Sequence, residues 1–242
     1  MDTGVYVALS KETGIFQDLD VTANNIANMN TTGFQSEDLL FTDFLASTTK
    51  QENQIAFAND IGTYRNTGQG TMQVTGAALD AAIEGRGYFA VQTPLGTRYT
   101  RNGNFKTNAG GTLVTSEGYT VLDDGNQPIN FDGADRVVKI KEDGTISVDG
   151  SDRGVLKIAQ FDNEQLMHHV GNGLYISDLP PKQSATNFQV VNGMLERSNV
   201  QPFLALTHMM YISHEVTDTA NFINTMYTLE RNASNTFAKI YT

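Results

Sequence analysis

Few places in this 242-residue chain combine residue types and spacing that could do chemistry. Asp149-Gly150-Ser151-Asp152 and Asp123-Asp124-Gly125-Asn126 are similar to fragments of calcium loops. A complete EF-hand loop needs ligands out to a Glu at its twelfth position and a helix on each side. Here the flanks read as strands, so both stretches are expected to be hairpin turns. Asp80 and Glu84 are spaced like paired carboxylates, but nothing in the sequence indicates a cleft around them, so a solvated turn or a structural hydrogen bond is expected. His168-His169 lacks the third ligand of a zinc site, and His208 and His214, six apart, do not share a helix face. Gly85-Arg86-Gly87 leads into strand-like Tyr88–Thr93, whereas a dinucleotide loop opens a helix. No P-loop, nucleophile elbow or triad is present. The reading is therefore of a non-enzyme with no catalytic residue, no metal ligand and no cofactor.

Composition narrows the classes further. The chain has no cysteine, which excludes disulfides, thiolate zinc sites and thiol catalysis. A net charge of −11 argues against nucleic acid and against an anionic membrane surface as partners. No stretch approaches the ~18 apolar residues of a membrane span. The opening MDTGVYVALSKE has neither a basic n-region nor a long apolar h-region, so no cleavable signal peptide is expected.

The elements that must carry any function fall into three zones. Over residues 4–30, Val5, Leu9, Glu12, Phe16, Leu19, Ala23 and Ile26 step alternately by four and three, a heptad stripe. Over residues 201–241, Pro202 suits a helix start. After it Leu206, Met209, Ser213, Val216, Ala220, Ile223 and Tyr227 make a second stripe, which resumes at Phe237 and Tyr241. Neither stripe can be buried by its own helix; each needs the other or another chain. Between about 69 and 190, short period-two segments alternate with glycine turns, the rhythm of a β-barrel or sandwich. Tyr88, Phe89, Tyr99 and Phe105 alternate there as core residues do. The expected fold is α+β. Residues 1–35 and 198–242 form terminal helices pairing as a coiled-coil-like layer, 36–68 an extended connector that admits a short helix around Leu39–Leu45, and 69–197 a central all-β domain.

The amides of Ala23-Asn24-Asn25-Ile26-Ala27-Asn28-Met29-Asn30 stand out. Asn28 and Asn30 suit a helix C-terminus, where Asn tolerates the left-handed conformation. Asn24 and Asn25 sit inside the helix, each at several tenths of a kcal/mol relative to Ala. Gln17, Asn24 and Asn28 fall on nearly one side, with Asn25 beside it. A second interface on this polar face is expected to compensate, since amides both donate and accept without burying charge.

With those residues in hand, the chain resembles the axial proteins of the bacterial flagellum, the rod, hook and hook-associated subunits. The pattern Asn-Asn-(Ile/Leu)-Ala-Asn followed by Gly-(Phe/Tyr) stands here as Asn24-Asn25-Ile26-Ala27-Asn28 and Thr31-Thr32-Gly33-Phe34. Leu79 to Val91, then Tyr99-Thr100-Arg101-Asn102-Gly103-Asn104-Phe105 and Gly111-Thr112-Leu113-Val114, resemble the family's central β-domain. Gly193-Met194-Leu195-Glu196-Arg197-Ser198-Asn199-Val200 is similar to the segment entering its C-terminal helix. Gln35 stands where many relatives carry a basic residue, and Ser213-His214-Glu215-Val216 where Arg and an aromatic are usual.

The resemblance implies a structural subunit of the flagellar rod. Its helices would line an inner tube with the β-domain outside, and it would transmit torque. Length and the opening residues are most similar to proximal rod subunits, with a distal rod or hook subunit as the alternative. The different-class alternative is a glycan-binding or hydrolytic β-domain, which the absence of Trp disfavours. The implied partners are other rod proteins, copies of the chain itself and the flagellar type III export apparatus. The implied location is the periplasmic rod of the basal body, reached without signal cleavage. The expected assembly interface comprises Val5, Leu9, Phe16, Leu19, Ala23, Asn24, Asn25, Ile26 and Asn28 on the first helix. Thr32, Gly33 and Phe34 follow it, and Leu206, Met209, Val216, Ala220, Ile223 and Tyr227 lie on the second.

Overall fold

The computed structural model describes residues 2–47, 54–131, 138–182 and 185–240, with the side chains of 2–7, 41–47, 54–61 and 237–240 outside the description. Helix α1 runs Asp2–Ala27 and helix α2 Pro202–Ile240, so the two long helices stand at the chain's extremities. Pro202 occupies the first position of α2, where its missing N–H leaves nothing unsatisfied.

Strands β1 (Glu37–Ser47) and β2 (Gln54–Arg65) pair antiparallel from Glu37↔Arg65 to Ser47↔Gln54, with a register shift at Leu40/Phe41. The extended connector and its short helix are therefore corrected to a long hairpin. A two-stranded ribbon is marginal alone in water, and this one is backed by α1. That tertiary contact supplies what the local sequence could not announce. The helices and hairpin make one compact unit, while residues 28–36 join the strands from 66 to 200 in the other.

In the second unit β3 (Met72–Val74) pairs with β17 (Met194–Glu196), and β4 (Ala81–Gly85) with β16 (Phe188–Asn192). The main antiparallel sheet takes its strands from β5 (Tyr88–Thr93), β6 (Gly96–Thr100), β7 (Phe105–Thr107), β8 (Leu113–Thr115) and β9 (Thr120–Val121). Strands β10 (Val138–Ile140), β11 (Thr145–Val148) and β12 (Ser151–Val155) form a separate three-stranded sheet. β13 (Ile158–Ala159), β14 (Met167–His169) and β15 (Leu174–Ser177) return to the main one, whose order is β14-β15-β6-β5-β9-β8-β7 with β13 on β5.

The larger core gathers Ile83, Phe89, Val91, Phe105, Leu113 and Ile146 among others. The smaller gathers Tyr88, Ala159, Phe161, Met167 and Tyr175. Tyr88, Phe89 and Phe105 are buried, but not by simple alternation: adjacent Tyr88 and Phe89 point to opposite faces of β5, into the smaller and the larger core, and Tyr99 is only half-buried against the smaller one. Phe89 meets Phe105 edge-on at 5.0 Å. Gly103 is where the body closes: a Cβ there would lie 1.7 Å from the Ala81 carbonyl oxygen, so only glycine lets these backbones meet.

Candidate functional site

Two charged contacts fix how α1 and α2 run. Lys11 Nζ meets Glu215 Oε2 at 2.6 Å, and His208 Nε2 lies 3.1 Å from the Asp18 carboxylate. Each pair of residue numbers sums to 226, so the helices are antiparallel and in constant register. The Lys11 ammonium holds the Glu215 carboxyl below the usual carboxylate range.

The buried line of α1 is Ala8, Gly14, Thr22 and Asn25, and that of α2 centres on Ile212 and Thr219. Ile15 and Ile212 share a small recess between the helices with Gly14, Lys11 and Tyr211. This line is one residue, about 100° of helix, away from the expected stripe of α1. Leu9 and Phe16 are accordingly 53% and 45% exposed, and Leu19, Ala23 and Ile26 half-buried. Val5 lies on α1 where side chains are outside the described residues. On α2, Met209, Val216, Ala220 and Ile223 flank the seam half-buried, while Leu206 and Tyr227 are exposed. The two expected stripes therefore do not bury each other. On α1 the fully buried seam residues are small or polar, which lets the helices approach over Ile212 of α2, and Leu9 and Phe16 remain on the outside.

A further apolar line was not legible in the 4-3 stepping. Leu204, Tyr211, Phe222 and Leu229 recur at intervals of 7, 11 and 7, which places them within about 20° of one another on α2. All four are exposed, as are Phe203 and Met210.

The amides divide by position. Asn25 is buried, its Nδ2 donating to the Glu37 carbonyl at 2.7 Å and its Oδ1 accepting from the Glu37 N–H at 3.0 Å. It is thus corrected from an outward-facing residue to an internal pin for β1. Asn24 is exposed. Asn28 closes the helix end, accepting from Thr31 N at its carbonyl (3.0 Å) and from Thr31 Oγ1 at its side-chain oxygen (3.1 Å).

Gly33 and Phe34 are likewise corrected: both are buried on the β-body of their own chain. Gly33 has φ +70°, its N–H donates to Glu196 O at 2.8 Å, and a Cβ would lie 2.6 Å from the Arg101 backbone carbon. Phe34 stands edge-on to His169. Thr32 beside them is half-buried. Ser36 continues the dock, its N–H donating to Asn199 Oδ1 at 2.7 Å.

Beneath this segment lies an ion pair that sequence spacing could not reveal. Arg101 and Glu196 are 3% and 2% exposed in their side chains, with Arg101 Nε and Nη2 each 2.9 Å from Glu196 Oε2. Arg101 also donates to the carbonyls of Gly85 and Gly87, and Gly70 N–H to Glu196 Oε1. Burial pushes the Glu196 carboxyl above its ordinary value, while Arg101 and the Gly70 N–H pull the other way. Nearby the Tyr88 hydroxyl lies between Gln35 Oε1 at 3.2 Å and Glu164 Oε2 at 2.9 Å, and Arg86 Nε donates to Glu164 Oε1 at 2.8 Å. Arg101 lies in the Tyr99–Phe105 motif and Glu196 in Gly193–Val200, but only the fold pairs them.

The stretches that could have done chemistry serve the fold. Asp80 accepts from Asn104 Nδ2 at 3.0 Å, and Asp123 accepts from the Gln127 N–H within its turn. Asp149 and Gly150, both at positive φ, turn the chain between β11 and β12. Among the described residues no three His, Asp or Glu side chains gather to hold a metal, and no helix is long and apolar enough to cross a membrane.

Comparison with known proteins places these surfaces in context. Residues 82–148 match the flagellar hook protein FlgE/F/G D1 domain, and residues 17–35 match the flagella basal body rod protein family. The chain is 38% identical to the flagellar basal-body rod protein FlgF of Caulobacter vibrioides over 99% of its own length and 100% of the relative's. It is 32% identical to FlgF of Mesorhizobium japonicum over 91% of each chain. It is also 32% identical to the flagellar basal-body rod protein FlgG of Bacillus subtilis, over 86% of this chain and 88% of that one.

Proposed function

Because this chain belongs to the family of flagellar basal-body rod proteins and is a structural subunit of the basal body, we propose that it is a proximal-rod subunit. In this reading its terminal helices pack in coiled-coil fashion and join copies of itself and other rod proteins to transmit torque. The observation that carries it is the exposure of Leu9 and Phe16 on α1 and of Leu204, Tyr211, Phe222 and Leu229 on α2. Removing such area from water is worth about 25 cal/mol per Å². A rod subunit has neighbours to cover these lines, and heterologous contacts of this sort extend without closing. No catalytic step is called for. The aromatic side chains that a glycan-binding face would display are spent in the core at Tyr88, Phe89 and Phe105.

The same reading places the subunit in the periplasmic span of the rod, delivered by the flagellar type III apparatus with its N-terminus uncleaved. The full-length match to FlgF-named relatives supports a place in the rod, and the chain's length and opening residues favour the proximal position. The FlgG-named relatives are rod proteins as well, and the distal rod stays the second reading.

The test is Leu9→Ser with Phe16→Ser. Both side chains are exposed, so the monomer's melting temperature should move by no more than about 2 °C, the scale of a surface change. Basal bodies should lack the subunit and swimming should fail. Normal swimming with the double variant in place overturns the assembly role.

A further inference from the structure

The chain passes between its two compact units at Ala27–Asn28, Ser36–Glu37, Arg65–Asn66 and Val200–Gln201. The last three of these exits meet at one side chain. Asn199 Oδ1 accepts from the Ser36 N–H at 2.7 Å, and its Nδ2 donates to the Asn66 and Gly68 carbonyls at 2.8 Å each. Its own N–H donates to the Phe34 carbonyl at 3.2 Å. Around it the Asn66 N–H donates to the Ser36 carbonyl at 2.8 Å, and the Gly68 N–H to Asn66 Oδ1 at 2.9 Å. All of these residues belong to the β-body unit.

The residue type fits the task. Asparagine is the shortest side chain that carries two N–H donors and a carbonyl acceptor together. Here both donors and the acceptor are engaged, each by a backbone group of another segment. An ionised aspartate could not donate, and a serine offers a single hydrogen. Asn199 is half-buried, so its bonds compete with water and add little to global stability. What they add is a cross-link. Just beyond it β1 begins at Glu37, β2 ends at Arg65 and α2 begins at Pro202. Separate connections would each swing about their own φ and ψ. Tied at one point within a residue or two of the exits, they share one orientation.

We propose that Asn199 is a positioning residue that clasps three exits into one joint and so sets how stiffly the β-body carries the helices and the hairpin. Resting on the rod-subunit reading above, this joint is where torque passes between the two units of a subunit. The remaining exit, Ala27–Asn28, has its own closure at Asn28 and Thr31. Loss of the clasp therefore loosens the joint without separating the units.

The chain has no cysteine, so spin labels can be placed on introduced thiols alone. Glu117→Cys lies in an exposed turn of the β-body and His214→Cys is exposed on α2. Together they report the distance distribution between the units in the full-length monomer. Asn199→Ala should broaden that distribution about twofold, as a locally opened joint does, and the melting temperature should move by no more than about 2 °C. Asn192→Ala is the control. Its Nδ2 also donates to two carbonyls of the β-body, those of Ala78 and Asp80, but away from the exits, and the width should stay at the parent's. Equal broadening by both variants, or none by Asn199→Ala, overturns the proposal. Should the alanine variant fail to fold, Asn199→Asp keeps the acceptor for Ser36, loses both donors and gives the same comparison. In cells, with Asn199→Ala present in basal bodies at the parent's level, swimming speed should fall more steeply as viscosity rises. Parental speeds at every viscosity overturn the torque-bearing joint and leave the rod-subunit reading intact. A broadened distribution with the parent chain absent from isolated basal bodies supports the clasp and removes that reading instead.

Discussion

Asn25 grips both polar groups of the Glu37 backbone, donating to its carbonyl at 2.7 Å and accepting from its N–H at 3.0 Å. Twelve residues apart in sequence, the two are locked like rungs of a ladder, and the hairpin starts from that point. Asn25→Ala leaves both groups short of a partner in a buried setting, which costs about 1–3 kcal/mol. Hydrogen exchange should accelerate across β1 and β2 while the β-body keeps its protection. Asn24→Ala, one residue away and exposed, should stay within about 0.5 kcal/mol of the parent. Equal effects of the two would mean that the pin is not where the hairpin is held.

Gly33→Ala tests the dock of residues 28–36. The position combines φ +70° with no room for a Cβ beside Arg101. Backbone strain and displacement together should exceed about 2 kcal/mol, a fall in melting temperature of about 5 °C or more at this chain length. An unchanged thermal transition would show that the segment is not seated on the body.

Arg101→Lys keeps the charge but not the fork. One ammonium cannot serve Glu196 and the Gly85 and Gly87 carbonyls together. Destabilisation should approach that of Arg101→Ala, in the range of about 3–5 kcal/mol for a broken buried pair. Chemical denaturation compares the two directly; a lysine variant as stable as the parent would reduce Arg101 to a simple counter-charge.

The two carboxylates paired with cations should respond to acid in opposite senses. Glu196 is raised by burial above its ordinary 4.5, so the folded state holds its proton more tightly than the unfolded chain. Its contribution is full below 4.5 and is lost as pH rises through the folded value. The stability gap between the parent and Glu196→Gln should therefore shift in the parent's favour as pH falls from 7 toward 4.5. Glu215 is held low by Lys11. Its contribution is present above 4.5 and lost as pH falls through the folded value, so the parent should lose ground to Glu215→Gln below that point. Denaturant midpoints for the three proteins across this range settle both signs.

Much of the fold is legible in the sequence. Helical periodicity at both ends, strand alternation between them and glycine turns such as Asp149-Gly150 are local signals, decided within a few residues. The hairpin of residues 37–65 was not legible, because its strands are stabilised by α1 rather than by their own alternation. Nor was the seam. Ala8, Gly14 and Thr22 are unremarkable by hydropathy, yet they are buried because small side chains let two helices close, while Leu9 and Phe16 are left outside.

By itself, then, the sequence determined the class, α+β with helices at both extremities, because periodicity is a short-range property written along the chain, and the resemblance of its motifs pointed to the flagellar axial family. Only the tertiary structure decided which face of each helix is spent at home and which is left for neighbours. It alone turned Asn25, Gly33 and Phe34 inward and set Arg101 against Glu196, 95 residues away. Those outcomes depend on which distant backbones approach one another, and the free energy of burying a polar group or a small residue is defined only once that approach has been made.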